Sequence, residues 1–361
     1  MPFARSLTKA LSLSLSALAL TAAFGPVQAQ STEQLAAVVQ PEADSGAYMG
    51  AALVAKGDEI IINRGWGSAN LEWDIANTSE TRFRIGSVTK QFTAVSIMLL
   101  QERGMVNVDD PISKYIKDAP DAWGAITVRD LLQHTSGLHN VTSLEDFGTQ
   151  KFLPTSQDEL IAMFLDLPLT FEPGSQWGYS NSNFVLLSGI VETVSETSYQ
   201  DFVKTNLFDP LGMDSTGIDQ SAEILPRRAA GYTPSQNGIV NAEYVNMAIP
   251  TGAGALYSST GDLLKWQRGL FGGKVLSEES LAQLVTPSEF EAVAGAKYAM
   301  GLLVTDTPQG HSIWHGGGIE GFNAFLGYDP DTKVTVVVLA NLNGGSASKL
   351  GMELLEATRK E

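Results

Sequence analysis

Ser87 and Lys90 stand three residues apart at the start of an apolar stretch, which puts a hydroxyl and an amine on one helix face. Burial lowers a lysine's basicity, and an amine freed of its extra proton can take the proton of a serine hydroxyl, so the pair reads as an activated nucleophile. The spacing is cheap. Ser6 to Lys9 and Ser346 to Lys349 repeat it, the first inside a candidate targeting segment, the second just past Gly344-Gly345, where a solvated helix start is expected. Taken alone, Ser87 reads as a helix N-cap, and its partners must decide.

Two later segments supply partners. Pro173-Gly174-Ser175-Gln176-Trp177-Gly178-Tyr179-Ser180-Asn181 leads into an apolar helix from Phe184 to Val194. In extended backbone Tyr179 and Asn181 point the same way. A phenol close to an ammonium ionises below its usual value of about 10 and acts as general base or acid, and the Asn181 amide is placed to donate to Lys90 or to a substrate carbonyl. The second segment is Trp314-His315-Gly316-Gly317-Gly318-Ile319-Glu320-Gly321-Phe322. Its glycines admit a substrate against the backbone, and the N–H of Gly318 pairs with that of Ser87 as an oxyanion hole, with His315 a polar or cationic group facing the hydroxyl. Gly316 to Gly321 also fits G-x-G-x-x-G, but fewer than 50 residues remain and no helix follows at once, which argues against a dinucleotide site. A half-buried Tyr in a polar turn and a Gly-rich hairpin are the bland alternatives. The second Y-x-N, Tyr244 to Asn246, lacks both the Pro-Gly entry and the following helix.

The elements that must position these groups are visible in periodicity. Phe92, Val95, Met98 and Leu99 recur at helical spacing and Gly104 stops the run, so a helix over about 88–103 carries Ser87 at its electropositive start. A short helix is expected near Thr32 to Val39, then strands over 47–56 and 59–64 joined at Gly57-Asp58. From 87 to about 209 the pattern is mostly helical. Strands return at 312–315, 323–328 and 333–340, and a helix over 347–359 follows. Strands at both ends of a helical insert predict an α/β (α+β) fold, with one antiparallel sheet built from both chain ends and a cleft between sheet and lobe. The expected division is a leader over 1–29 and one catalytic domain over 30–361, its sheet lobe about 30–86 and 250–361 and its helical lobe 87–249. Three features read as scaffold: a capping box at Thr127 to Asp130 with His134 in the last turn and Gly137 past it, a second capped start from Gly252 to Asp262, and surface charge at Arg227 and Arg228.

Composition narrows the function. Of 361 residues 43% are hydrophobic, enough for a large core. Arg5 and Lys9, the apolar run Ala10 to Ala23 and the Val27-Gln28-Ala29 pattern read as a secretory leader, and the periplasm is the expected location. No later stretch suits a membrane span, and with no cysteine there is no lipidation site, disulfide or thiolate metal site, so no membrane anchor is expected. The formal charge of −17, which loss of the leader would make more negative by two, repels phosphate backbones and argues against nucleic-acid partners. The four histidines show no metal-ligand spacing, and neither metal nor cofactor is expected. The oligomeric state stays open.

Over roughly residues 45–345 the chain resembles the penicillin-recognising serine hydrolases, most closely the branch with class C β-lactamases, D-alanyl-D-alanine carboxypeptidases, D-aminopeptidases and β-lactamase-fold esterases. Ser87 to Lys90 matches the first motif, Tyr179 to Asn181 the Y-x-N, and His315 to Gly317 the third, normally K-T-G or H-T-G. Leu131 to Leu138 and Gly252 to Trp266 also look like family stretches. The resemblance implies acylation of Ser87 by an ester, amide or lactam, proton transfer by Lys90 and Tyr179, and deacylation by water, with Trp177, Gly316 and Gly317 at the substrate. His315 stands where class C enzymes carry lysine, and Gly316 replaces a threonine. The hydroxyls that help hold a substrate carboxylate are thus missing, which favours small esters or D-amino-acid amides over penicillins or terminal D-alanine. A catalytically silent binding module would have lost the serine, lysine or tyrosine; all three are present.

Overall fold

The structure is a computed structural model that describes residues 26–359 apart from 294, 309 and 345, with side chains described from Thr32 onward. Of the expected leader, residues 1–25 lie outside the described residues. The chain runs α1 (Pro26–Asp44), β1 (Gly50–Lys56), β2 (Glu59–Trp66), α2 (Thr89–Glu102), α3 (Val128–Gln133), α4 (Asn181–Ser195), α5 (Thr260–Phe271), β3 (Glu291–Val293), β4 (Ala296–Tyr298), β5 (Leu303–Thr307), β6 (Gly310–Ile319), β7 (Phe322–Asp329), β8 (Val334–Ala340) and α6 (Ser346–Arg359), with further short helices, and strands of two to four residues, between.

Eight strands form one antiparallel sheet in the order β3-β4-β5-β6-β7-β8-β1-β2. The two chain ends meet where β1 pairs with β8, from Gly50↔Ala340 to Lys56↔Val334, and β1 and β2 form the expected hairpin, with β2 as the sheet's edge strand. β8 is buried along its whole length, a Val-rich run suited to a strand covered on both faces. Its side chains alternate between two cores: Val336 and Val338 join Leu35, Val39, Leu350 and Leu354 of α1 and α6, while Val337 and Leu339 join Phe92 and Trp266 of α2 and α5. Each such fully buried side chain contributes about 1.5–3 kcal/mol.

α2 is buried on every side from Thr89 to Leu100, as expected of a helix at the centre of a layer. Phe92 stacks on Trp266 at 4.1 Å, and the buried Thr93 hydroxyl is 2.6 Å from Tyr199 Oη and donates to Gly252 O at 2.7 Å. The helix that follows Ser87 is therefore held from several directions.

β3, β4 and β5 were not visible in the sequence pattern. They are three to five residues long, too short for a period-2 signal, yet they matter to the site. β5 pairs with β6 only as far as Leu303↔Trp314, whereas β6 stays paired with β7 to Ile319↔Phe322. The Gly-rich half of β6 thus overhangs the sheet on its β5 side, and the turn carrying Ser87 packs on the face of this overhang that Gly317 presents. The expected strand over 312–315 is longer for the same reason, since its glycines continue the ladder. α1 is likewise longer than the predicted 32–39. At the end of α3 the expectation is corrected. His134 does not sit in the last turn but is itself the left-handed C-cap, with φ 61°.

Candidate active site

Ser87 lies in a single 3-10 turn, Gly86–Val88, that runs straight into α2. Gly86 has φ 49°, and a Cβ on it would sit 2.8 Å from the backbone N and O of Gly318. A Cβ on Gly317 would collide with the carbonyl oxygen of Ile85. Backbone therefore touches backbone between this turn and the β6 overhang, which only glycine permits. Ser87 and Gly318 come out on the same wall of a cleft of about 680 Å³.

Lys90, one turn into α2, is fully buried and meets three neutral oxygens: Ser87 Oγ at 3.1 Å, Asn181 Oδ1 at 2.8 Å and Ala253 O at 2.8 Å. Burial without a carboxylate partner pushes its pKa well below the ordinary lysine value. A neutral amine has two N–H bonds and one lone pair. With Asn181 and Ala253 taking the two hydrogens, the lone pair faces the Ser87 hydroxyl.

Tyr179 donates its hydroxyl to Ser87 Oγ at 2.8 Å. Ser180 is extended, so Tyr179 and Asn181 fall on one side as the alternation rule requires. The expected lowering of the phenol pKa is overturned. Burial raises it, the hydrogen bond to Ser87 opposing only in part, and the phenol stays protonated. Asn181 also differs in polarity from expectation: its amide oxygen accepts from Lys90, while its nitrogen donates to Thr142 Oγ1 at 3.1 Å.

The remaining predicted residues are placed less directly. His315 is buried and its Nδ1 donates to Gly316 O at 2.5 Å, while Nε2 accepts from Tyr298 Oη at 2.9 Å. Burial first, then the nearby Lys90, lowers its pKa to about 3, so it is a neutral ring against Tyr298 and not a cation facing the serine. Gly316 points away from the cleft, toward Ser348 of α6. Trp177 packs with Tyr179, Tyr298 and His134 in an aromatic cluster behind the cleft and is not among its lining residues.

Sequence reasoning missed four contributors. Ala253 O, in the single helical turn Thr251–Gly254 read as scaffold, is an acceptor for Lys90; a backbone carbonyl leaves no side-chain signal. Tyr298 comes from the unrecognised strand β4. His134 is wholly buried at 4.4 Å from the Tyr179 ring, its pKa well below normal through burial, so it carries no charge for a helix dipole. Among the cleft-lining residues Lys151 is held by Glu243 at 2.5 Å and by Glu320, two residues past Gly318, at 3.1 Å. Arg228, read as solvated charge, instead pairs with buried Asp219 at 2.5 Å. Among the described residues no group of three or more His, Cys, Asp or Glu is placed to hold a metal.

Comparison with known proteins places the chain in a family. The chain is 28% identical over 311 residues to penicillin-binding protein 4* of Bacillus subtilis (strain 168), covering 81% of this chain and 68% of that protein. Among solved structures, the octameric penicillin-binding protein homologue from Pyrococcus abyssi superposes with a TM-score of 0.81 at 27% identity, covering 91% of this chain and 77% of that one. The D-stereospecific amidohydrolase from a Streptomyces species superposes at 0.76 and 25% identity, covering 88% and 97%. The Beta-lactamase family model matches residues 35–358, most of the chain and all the groups described around Ser87. The chain belongs to the Beta-lactamase family and is a serine hydrolase of that fold.

Proposed function

We propose that the protein hydrolyses small esters or D-amino-acid amides through an acyl-enzyme on Ser87. The observation that carries this is the environment of Lys90, a buried amine whose two other acceptors leave it aimed at Ser87 Oγ. As Oγ attacks the acyl carbon its proton passes to Lys90, and the carbonyl oxygen gains charge between the N–H groups of Ser87 and Gly318. Tyr179 gives its proton to the departing alkoxide or amine and recovers one from the Lys90 ammonium. Water then attacks the acyl carbon, its proton travelling back by the same two groups, and Oγ leaves with a proton restored.

Charge supports the choice of substrate. The cleft is lined by Val141, Phe147, Val185, Val245 and Ile249, and Lys151 is the one cationic side chain among its described lining residues. Lys151 is engaged by two carboxylates, so this wall is net negative. His315 is neutral and Gly316 faces α6, so neither offers a clamp for a substrate carboxylate. The likeness to a D-stereospecific amidohydrolase supports the amide arm. The basic, apolar and small-residue order of residues 1–29 supports export, with the periplasm as the working location.

Steady-state rates on a nitrophenyl ester, a D-amino-acid amide, a D-Ala-D-Ala peptide and a chromogenic cephalosporin test this. The first two should exceed the last two in kcat/KM by at least about tenfold, the factor for roughly 1.4 kcal/mol of lost carboxylate binding. A preference for the peptide or the cephalosporin would overturn the substrate assignment in favour of a carboxypeptidase or β-lactamase.

A further inference from the structure

We propose that His134 is a positioning residue that holds the Tyr179 hydroxyl against Ser87, an inference that rests on the acyl-enzyme reading above. Tyr179 sits on a loop, and a loop must be fixed from outside if its hydroxyl is to stay on a serine oxygen. His134 grips that loop on both sides of the tyrosine. Its carbonyl oxygen accepts from the N–H of Gly178 at 2.9 Å, and its Nδ1 accepts from the N–H of Ser180 at 3.3 Å. The same Nδ1 lies 3.1 Å from Asn183 Nδ2 on the first turn of α4. The imidazole itself rests 4.4 Å from the Tyr179 ring and 4.6 Å from that of Tyr298. One residue thus ties down the position before Tyr179, the position after it and the ring between.

Two costs mark the arrangement as more than filling. His134 holds a left-handed backbone at φ 61°, uncommon outside glycine, and its Nε2 is buried with no hydrogen-bond partner. With Nδ1 accepting, the proton of the neutral ring is on Nε2, so the hydrogen bond to Ser180 is maintained at the expense of a buried, unpaired N–H. The left-handed turn lets the carbonyl and the imidazole of one residue address the same loop. Strain of this kind persists where the surroundings over-determine it, and here they include the proposed proton donor.

Single-turnover and steady-state kinetics of four variants test the inference. His134→Asn keeps a residue tolerant of positive φ and an oxygen near the Nδ1 position; kcat should stay within about fivefold of wild type. His134→Gly keeps the backbone and its carbonyl bond to Gly178 but removes the Nδ1 acceptor and the ring; kcat should fall about 10–100-fold with KM changed less than about threefold. In a Tyr179→Phe background His134→Gly should cost less than about threefold more, because the group it positions is gone. If the glycine variant fails to fold by near-ultraviolet circular dichroism, His134→Gln, whose oxygen sits one bond too far out, takes its place in the same cycle. Equal penalties in the two backgrounds, or the same kcat loss for Asn as for Gly or Gln, would overturn the positioning role. Wild-type protein that turns over substrate without an acyl adduct on Ser87 would instead overturn the reading on which it rests, and this inference with it.

Discussion

At the scale of single residues, the proposed chemistry turns on two groups that burial moves in opposite directions. Desolvation disfavours charge, so it lowers the pKa of Lys90 and raises that of Tyr179, leaving an amine able to accept a proton and a phenol able to give one. Proximity to an ammonium would have suggested an ionised phenol, but that argument fails once the lysine is itself neutral. The sign of the pH dependence follows. Catalysis needs deprotonated Lys90, so kcat/KM should rise with pH through a single limb below the ordinary lysine value and stay level as pH climbs further, since the phenol titrates above its ordinary range. His315, with a pKa near 3, should add no limb between pH 5 and 8. Rates measured on a neutral ester from pH 4 to 10 check this, and His315→Asn should leave the position of the limb within about half a unit. A limb that moves with His315 would make the histidine the titrating base. Tyr179→Phe should lower kcat by about 10²–10⁴-fold, the usual worth of a general acid–base group.

At the scale of elements, the site is made by an overhang. β5 stops pairing at Trp314, and the Gly86–Val88 turn packs on the face of the β6 overhang that Gly317 presents, with glycine at the two points of closest approach. Gly317→Ala would drive a methyl group into the Ile85 carbonyl and push the strand off the turn. Acylation should fall about 10²–10³-fold, as for loss of an oxyanion donor, with a stability cost of about 1–3 kcal/mol. Gly316→Ala meets the Ser348 hydroxyl at 3.0 Å, a side-chain atom rather than backbone, and should stay within about threefold of wild type. The rate of covalent labelling and the urea midpoint of the two variants would show the contrast, and equal effects would place the contact elsewhere. This also explains what the sequence could convey. The Gly-rich run announced close approach but not which glycine makes it, because the face of a strand depends on a register that β7 fixes and β5 abandons.

At the scale of the whole molecule, the long strongly patterned elements were legible from periodicity. The strands at both chain ends, their pairing in one sheet and the buried helix after Ser87 follow from apolar and β-branched runs bounded by turn residues and from helical spacing. What stayed hidden was tertiary in origin: β3 to β5 are short, and His134, Tyr298 and Ala253 acquire their places only when segments far apart in sequence converge. Lys151 looked like any lysine until the fold brought Glu243 and Glu320 to it from 92 and 169 residues away. The segments converge on one hydroxyl, and intact-mass and peptide mass spectrometry after a slowly released acylating ester reads whether that hydroxyl carries the acyl group. One added acyl group is expected, on the peptide containing Ser87 and absent in Ser87→Ala; turnover with no adduct, or an adduct that survives that substitution, would show that Ser87 is not the nucleophile.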